Sequence, residues 1–392
     1  MKTGNDRKYY GKILYVLFMV FALLINGCSG GEYEAEKLLW QANKCFAGLK
    51  EDLESAAPED YEEVVLAFRK IVFKFPKWKY SSRAQLTIGQ LYALQNNMPK
   101  AKTEFAKVLE EFPQDVNTCA SALFSIGKIC EEENNWNKAL KNYKKIVSDY
   151  PETYAAYQVP LYIAQYYKAK NMNKKSEAAY KEAIEGYEEV IKEHPDTFAS
   201  LTAQKFIIAA LIEQKKWSKA AEHLQNQADA YPGTPLAVES LCKVAVIYQE
   251  ELPSRRQAET AYKKAVEEYE KILEESRKYI DAQGGLDQLQ SIEAEKTLKG
   301  YAVSSLKYIT SAAISLKKWD DAIRYFQELA DLSPKTPVAA QSLITSARIY
   351  HEQLNQPQKA IDIYKYLLEN YKGIKAEVIE EKIASLQEAQ KE

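Results

Sequence analysis

Two stretches of matching pattern decide the fold: GQLYALQNNMPKAKTEFAKVLEEFP at residues 89–113 and GKICEEENNWNKALKNYKKIVSDYP at residues 127–151. Each begins with Gly, carries Ala twelve residues later, an aromatic residue four after that Ala, and an aromatic-Pro pair at its end. The apolar residues recur at helical spacing and do not alternate as in a strand. The pattern therefore predicts a pair of antiparallel helices in each stretch.

The same punctuation recurs along the chain. Proline ends a unit at positions 76, 113, 151, 195, 232 and 334, with intervals of 37, 38, 44, 37 and 102 residues, the last long enough for two units and an insertion. Small Gly and Ala let two helices approach closely, and we expect the aromatic to fill the groove between them and Pro to start the next helix. The expected groove-filling aromatics are Phe105, Tyr143, Phe326 and Tyr364.

Gly, Tyr, Ala, an aromatic and Pro in this order resemble the tetratricopeptide repeat. The resemblance implies an all-α fold, a right-handed solenoid of about eight helical hairpins over residues 33–373, closed by a capping helix at residues 374–392. Ile374, Val378, Ile383 and Leu386 are expected to share one side of that cap. An irregular insertion at about 277–300 carries Gly284-Gly285, and it is either a functional insertion or two lengthened helices.

The first 27 residues are typical of a signal peptide. A basic start is followed by ILYVLFMVFALLI at residues 13–25, which is short of the ~20 residues that a spanning helix needs. The next residues, Ile25-Asn26-Gly27-Cys28, resemble the lipobox of bacterial lipoproteins. The resemblance implies cleavage before Cys28, acylation of Cys28 with fatty acids such as palmitate, and a tether at residues 28–32. An uncleaved signal anchor with an incidental cysteine is the alternative.

About the first 200 residues also resemble the barrel-assembly-machinery D-subunit family of envelope lipoproteins, through Ala67-Phe68 to Phe75-Pro76 and Ala101 to Pro113. In bacterial lipoproteins the inner-membrane retention signal has Asp directly after the acylated Cys, where this chain has Ser29, so the lipobox resemblance implies the periplasmic face of the outer membrane. The function implied is a membrane-anchored protein–protein interaction scaffold in outer-membrane or envelope assembly. The alternative is a groove-type receptor for extended peptides or secretion substrates.

Composition and motifs argue against other classes. The net charge is −2 and acidic and basic residues are interspersed, so no nucleic-acid partner is expected. His194, His223 and His351 fall in different repeats, and no HExxH, GxSxG or P-loop occurs, so we expect no enzyme, cofactor, metal or small-molecule substrate. His194 is expected to pack like the other residues before proline. Acidic runs such as Glu131–Glu133 are expected on solvated faces, and Cys45, Cys119, Cys130 and Cys242 in the core.

The candidate partner-binding residues follow from the register of the repeat, in which the first helix of each pair lines the concave side. Tyr and Arg are frequent binding anchors, and the pair that follows Pro151 is rich in Tyr. The candidates are Arg83, Lys128, Tyr162, Tyr166 and Tyr167. The alternative is that the tyrosine rings pack between helices with only their hydroxyls exposed. We expect a protein or peptide partner in this groove.

The lipobox resemblance yields the first testable prediction. Replacing Cys28 with Ala removes the thiol that would carry the diacylglyceryl group, so cells fed a radioactive fatty acid should label the wild-type protein and leave the variant unlabelled. Equal labelling of the two proteins would contradict the lipoprotein interpretation.

Overall fold

The protein is described by a computed structural model over residues 30–51, 55–282 and 288–390, and every regular element in these ranges is an α-helix. The predicted signal peptide and Cys28 lie outside the described residues. The first eight helices are α1 Gly30–Glu51, α2 Pro58–Lys74, α3 Ser81–Leu94, α4 Met98–Glu111, α5 Val116–Glu132, α6 Trp136–Asp149, α7 Tyr154–Ala169 and α8 Asn173–Glu193. The all-α prediction is confirmed.

The later helices are α9 Phe198–Glu213, α10 Trp217–Ala230, α11 Pro235–Glu250, α12 Arg255–Ala282, α13 Gln288–Ser315, α14 Trp319–Leu332, α15 Pro337–Glu352, α16 Pro357–Asn370 and α17 Ala376–Ala389. The chain divides into two compact units, one up to Phe206 and one from Ile207. The predicted insertion at about 277–300 overlaps the end of α12 and the start of α13, and each of these helices is 28 residues long. Gly284 and Gly285 lie outside the described residues.

The turns between α3 and α4 and between α5 and α6 are closed by a residue in the left-handed conformation. Asn96 and Asn134 have φ of 57° and 58°, five residues before the repeat alanine. The next amide bonds back across the helix end, from Asn97 N to Tyr92 O at 2.8 Å and from Asn135 N to Cys130 O at 2.8 Å. This is the Schellman pattern, and it satisfies carbonyls that the helix leaves unpaired. The Asn97 and Asn135 side chains then cap the following helix.

The prolines that punctuate the repeat end helices, so the expectation that they start them is wrong. Pro113 directly follows Phe112, the C-cap of α4, and α5 begins only at Val116. The same holds at Pro151, which follows the C-cap Tyr150 of α6. A proline at this position has no N–H to continue the helical hydrogen bonds, so the chain turns there.

The close approach of paired helices depends on two glycines. A Cβ built on Gly89 would lie 2.5 Å from Cδ1 of Phe105, and one on Gly127 would lie closer still to Cε1 of Tyr143. Real Cβ atoms do not come this close, so the aromatic ring rests directly on the glycine backbone. Phe105 and Tyr143 are correspondingly buried, as are the repeat alanines Ala101, Ala139, Ala220, Ala322 and Ala360.

Unit 2 departs from the predicted register at two positions. In α14 the buried aromatic is Tyr325, which packs edge-to-face on Tyr269 with ring centroids 6.4 Å apart, and the expected Phe326 is only half-buried. In α17 the buried residues are Ile379 and Leu386, while the expected Val378 is exposed. Both shifts are of one residue, because the pattern locates a helix more firmly than its rotation about its axis.

The glycine contact predicts opposite outcomes for two chemically identical changes. Gly127→Ala should destabilise the protein by about 1–3 kcal/mol, because the new methyl group forces the buried Tyr143 ring out of place. Gly186→Ala, inside α8 with no atom within 4 Å of the new Cβ, should instead stabilise by about 0.5–1 kcal/mol through helix propensity. Urea unfolding of both variants measures the difference. Equal effects would show that Gly127 is not at a close helix crossing.

Candidate protein-binding surface

The first helices of consecutive pairs in unit 1 lie side by side. Within the described residues, α3 packs beside α5 and α5 beside α7, whereas the backbones of the second helices α4 and α6, or α6 and α8, come no closer than 8 Å between Cα atoms. A layer whose helices touch, backed by a layer whose helices are spread, curves toward the touching side. The exposed faces of α3, α5 and α7 therefore line the concave side of this unit, as the repeat register predicts.

Arg83 lies on the exposed face of α3, one turn before the half-buried Leu86. Its guanidinium carbon is 5.6 Å from the centroid of the Tyr80 ring, which is a cation–π distance. Burial raises the pKa of nearby Asp115, but hydrogen bonds from Ser82 and Thr118, with the positive charge of Arg83, outweigh it and hold that pKa below its ordinary value. Arg83 is thus exposed at the surface, and its charge also acts on Asp115, the residue that caps the start of α5.

Glu131, at the end of α5, joins three helices. Its carboxylate accepts hydrogen bonds from the hydroxyl of Tyr143 on α6 and from the hydroxyl of Tyr162 on α7, the latter at 2.7 Å. Lys128 donates from Nζ to the Tyr162 hydroxyl at 2.8 Å and lies 3.5 Å from the carboxylate. The Glu131 side chain is 12% exposed and that of Lys128 is 43% exposed, so solvent reaches Lys128 more than the carboxylate. We call Lys128, Glu131, Tyr143 and Tyr162 the Glu131 cluster.

The protonation states of the Glu131 cluster follow from its geometry. Burial is the main cause that raises the pKa of Tyr143, and the neighbouring Glu131 carboxylate raises it further. Burial raises the pKa of Tyr162 as well. For Lys128, burial works against the charge, but the hydrogen bond to Tyr162 and the Glu131 carboxylate prevail and raise its pKa. The two phenols of the cluster are therefore neutral at neutral pH, and Lys128 carries its positive charge.

The two remaining candidates pack on Trp136, the first residue of α6. The Tyr166 ring is stacked on the indole, with centroids 3.4 Å apart and planes inclined by 2°. The indole Nε1 donates to the Tyr167 hydroxyl at 3.1 Å. Tyr162, Tyr166 and Tyr167 are all half-buried, so each combines packing contacts with exposure to solvent.

The structure thus brings four of the five candidates together and leaves one apart. Lys128 and Tyr162 share the Glu131 cluster, and Tyr166 and Tyr167 share Trp136, whereas no contact joins Arg83 to either group among the described residues. Sequence reasoning missed Trp136 as their packing partner, although Trp recurs three residues before the repeat alanine. The expectation that Glu131 lies on a solvated face is wrong, because two phenols cover it.

Other chemistry-bearing residues take structural positions. Cys119, Cys130 and Cys242 are free thiols and are buried, as expected. Cys45 is also free but only half-buried, so the expectation that it lies in the core is wrong. His194 is exposed and does not pack as expected; its backbone caps α8 and its carbonyl accepts from the Thr197 hydroxyl. Among the described residues no group of three or more His, Cys, Asp or Glu could hold a metal ion. In the same ranges, each helix is too short or too polar to span a bilayer.

An apolar cavity of about 420 Å³ lies on the other side of unit 1, between the second helices α6 and α8. Val147 contributes from α6, Ile163 from α7, and Ala183 and Val190 from α8. The sequence pattern did not predict this cavity, because it depends on how far the second helices are spread.

Comparison with family models identifies the repeats. Residues 7–189 match a model described as a tetratricopeptide repeat-like domain, and residues 311–373 match one described as a tetratricopeptide repeat. The chain therefore carries tetratricopeptide-type repeats in both units. Such repeats define an interaction scaffold for protein partners, a class that is typically non-enzymatic. A comparison with curated proteins gave no match.

Three solved structures match this chain at low sequence identity and with low TM-scores. A tetratricopeptide repeat protein from Parabacteroides merdae is 11% identical over 90% of this chain and 98% of that one, with a TM-score of 0.30. PilW, a type IV pilus biogenesis factor, is 15% identical over 68% of this chain and 100% of its own, with a TM-score of 0.32. The C-terminal part of a repeat protein from Cytophaga hutchinsonii is 15% identical over 77% and 99%, with a TM-score of 0.34.

The Glu131 cluster predicts that removing one hydroxyl oxygen lowers the free energy of unfolding. Tyr162→Phe removes the hydroxyl that links Lys128 to Glu131 and leaves a nearly buried carboxylate with one fewer donor, so we expect a loss of about 1.5–3 kcal/mol. Tyr154→Phe on the same helix is the matched control, because Tyr154 is exposed, and should change stability by less than about 0.5 kcal/mol. Denaturant unfolding compares them. A neutral Tyr162→Phe would mean that the cluster does not order α5 and α7.

Proposed function

We propose that this protein is a membrane-anchored interaction scaffold of the cell envelope, held by acylated Cys28 at the periplasmic face of the outer membrane and serving envelope assembly. The lipobox resemblance at residues 25–28 supports the anchor, and Ser29 supports the outer membrane. The tetratricopeptide-type repeats support a scaffold role. The resemblance to the barrel-assembly D-subunit family supports the assembly process.

The observation that carries the proposal is an ordered cation beside aromatic edges on the concave side of unit 1. The Lys128 ammonium is held by the Tyr162 hydroxyl while 43% of its side chain stays exposed. A lysine fixed in this way loses less rotational freedom on binding than a free one. The Tyr162 ring and the Tyr166 edge add flat apolar area next to it. A partner segment that carries a carboxylate or carbonyl beside an apolar side chain fits this arrangement.

The alternative is a receptor for extended peptides or secretion substrates. The continuous row of α3, α5 and α7 favours it, since an extended segment crossing the row would meet Arg83 on one helix and Lys128 on the next. The two functions differ in the lifetime of the complex. A scaffold keeps one partner through purification, whereas a receptor exchanges many unfolded segments.

Crosslinking in intact membranes tests both functions. A photoreactive amino acid at Gln90, exposed on α3, should capture a partner, and one at Glu188, exposed on α8, should not. One discrete product that survives purification supports the scaffold, and a ladder of transient products supports the receptor. Equal capture at the two positions would place the binding surface elsewhere.

The charge at the centre of the proposed surface gives a quantitative prediction. Lys128→Ala should weaken binding of the captured partner by more than about 1 kcal/mol, as expected for a residue at the centre of an interface. Lys141→Ala, an exposed lysine on the second helix α6, is the control and should bind like the wild type. Melting curves of both variants exclude unfolding as the cause. Unchanged affinity for Lys128→Ala would contradict the proposed surface.

A further inference from the structure

The start of α1 and the end of α2 lie at the same end of the first hairpin. Glu34 in α1 pairs with Lys74 at the end of α2 at 2.8 Å, and Glu32 pairs with Lys79 in the following turn at 3.6 Å. Cys28 precedes Gly30, the first residue of α1, by two residues. Two residues span at most about 7 Å even when fully extended. A lipid on Cys28 would therefore hold this end of the hairpin at the bilayer surface.

Large aromatic side chains are exposed at this end. Phe73, in the last turn of α2, is 88% exposed, and Tyr33, in the first turn of α1, is 71% exposed. Trp40 is 64% exposed and lies seven residues after Tyr33, which places both on one face of α1. Their neighbours Ala35 and Ala42 face the core, so these aromatics do not complete the packing of the hairpin. Tyr and Trp side chains are enriched at the headgroup level of membranes.

The same end carries an excess of positive charge. Residues 69–83 contain six basic residues, Arg69, Lys70, Lys74, Lys77, Lys79 and Arg83, and no acidic one. Pairing with Glu34 and Glu32 partly neutralises two of them, and the pair with Glu104 holds a third. Lys70 and Lys77 are exposed and form no ion pair among the described residues, so their charges face solvent.

We propose that Tyr33, Lys70, Phe73 and Lys77, the anchor-end surface, dock on the anionic phospholipid headgroups of the membrane that holds Cys28. This inference rests on the proposed acylation and adds a second contact to it. The acyl chains on Cys28 supply the attachment itself, and a basic, aromatic patch beside an acylated residue adds contacts to anionic headgroups that fix how the hairpin lies on the bilayer. The short tether favours lipid over a protein partner, because the bilayer is always within reach of these side chains.

A site-specific fluorescence experiment on the full, acylated protein tests the docking. Phe73→Cys carries a bimane label whose ring replaces the phenyl ring, in a Cys45→Ala background, since the other described thiols are buried. Leu94→Cys is the matched control: it is exposed in the same unit, but at the opposite end of the hairpin, where Gln95 bonds to the Pro58 carbonyl. Each protein is reconstituted into vesicles of phosphatidylethanolamine and brominated phosphatidylglycerol, and flotation is measured in parallel.

The expected result is at least twofold stronger quenching at position 73 than at position 94. Lys70→Glu with Lys77→Glu should remove that difference without changing flotation, whereas Lys263→Glu with Lys264→Glu, two exposed lysines of α12, should leave it intact. Flotation with equal quenching at both positions would overturn the docking surface and leave the anchor standing. Failure of the wild type to float would overturn the anchor itself. If a water-soluble quencher reaches the label at position 73 in vesicles but not in native envelopes, a protein covers the surface there, and the lipid assignment is overturned.

Discussion

The contact between a glycine backbone and an aromatic ring is the constraint on which unit 1 depends. Gly127 lets the Tyr143 ring lie directly against α5, and that position brings the Tyr143 hydroxyl to Glu131. Glu131 in turn receives Tyr162 from the next pair and stands beside Lys128. The packing inside one hairpin is thereby linked through Glu131 to the first helix of the next hairpin. It also fixes the charge that the concave side presents.

The helices were predictable from the sequence because their signals are local. The spacing of Gly127, Ala139 and Pro151 marks one pair of helices and the end of the second one. The spacing does not determine how each helix is rotated about its axis, or which residues each side chain contacts. Tyr325 takes the place expected for Phe326, and His194 stays exposed in a position where the pattern has aromatic residues. Both depend on which neighbour is available in space, and that neighbour is distant in sequence.

The candidate site was predictable as a set of residues but not as an arrangement. The register placed Lys128 and Tyr162 on the same side, yet their hydrogen bond joins residues 34 apart, and Glu131 looked like one member of a solvated acidic run. The spacing of Trp136 from the repeat alanine recurs along the sequence, but this spacing does not show that Tyr166 stacks on its indole ring. The net charge of −2 likewise hid the local excess of basic residues at positions 69–83. The net charge of the whole chain does not show a local excess of basic residues. Which of those residues stay without an ion pair depends on the acidic residues of neighbouring helices.

Two carboxylates at successive hairpins explain how a repeat of small apolar contacts can hold a defined surface. Glu104 on α4 accepts from Gln85 on α3 and pairs with Arg69 on α2, and Glu131 on α5 accepts from α6 and α7. Burying a carboxylate costs free energy that its partners roughly offset, so these clusters add little net stability. Their hydrogen bonds form only when three helices are in register, however, whereas apolar packing tolerates small slips. The carboxylates therefore favour one arrangement of the hairpins. Lys128 is held in a defined position because its partners Tyr162 and Glu131 belong to that arrangement.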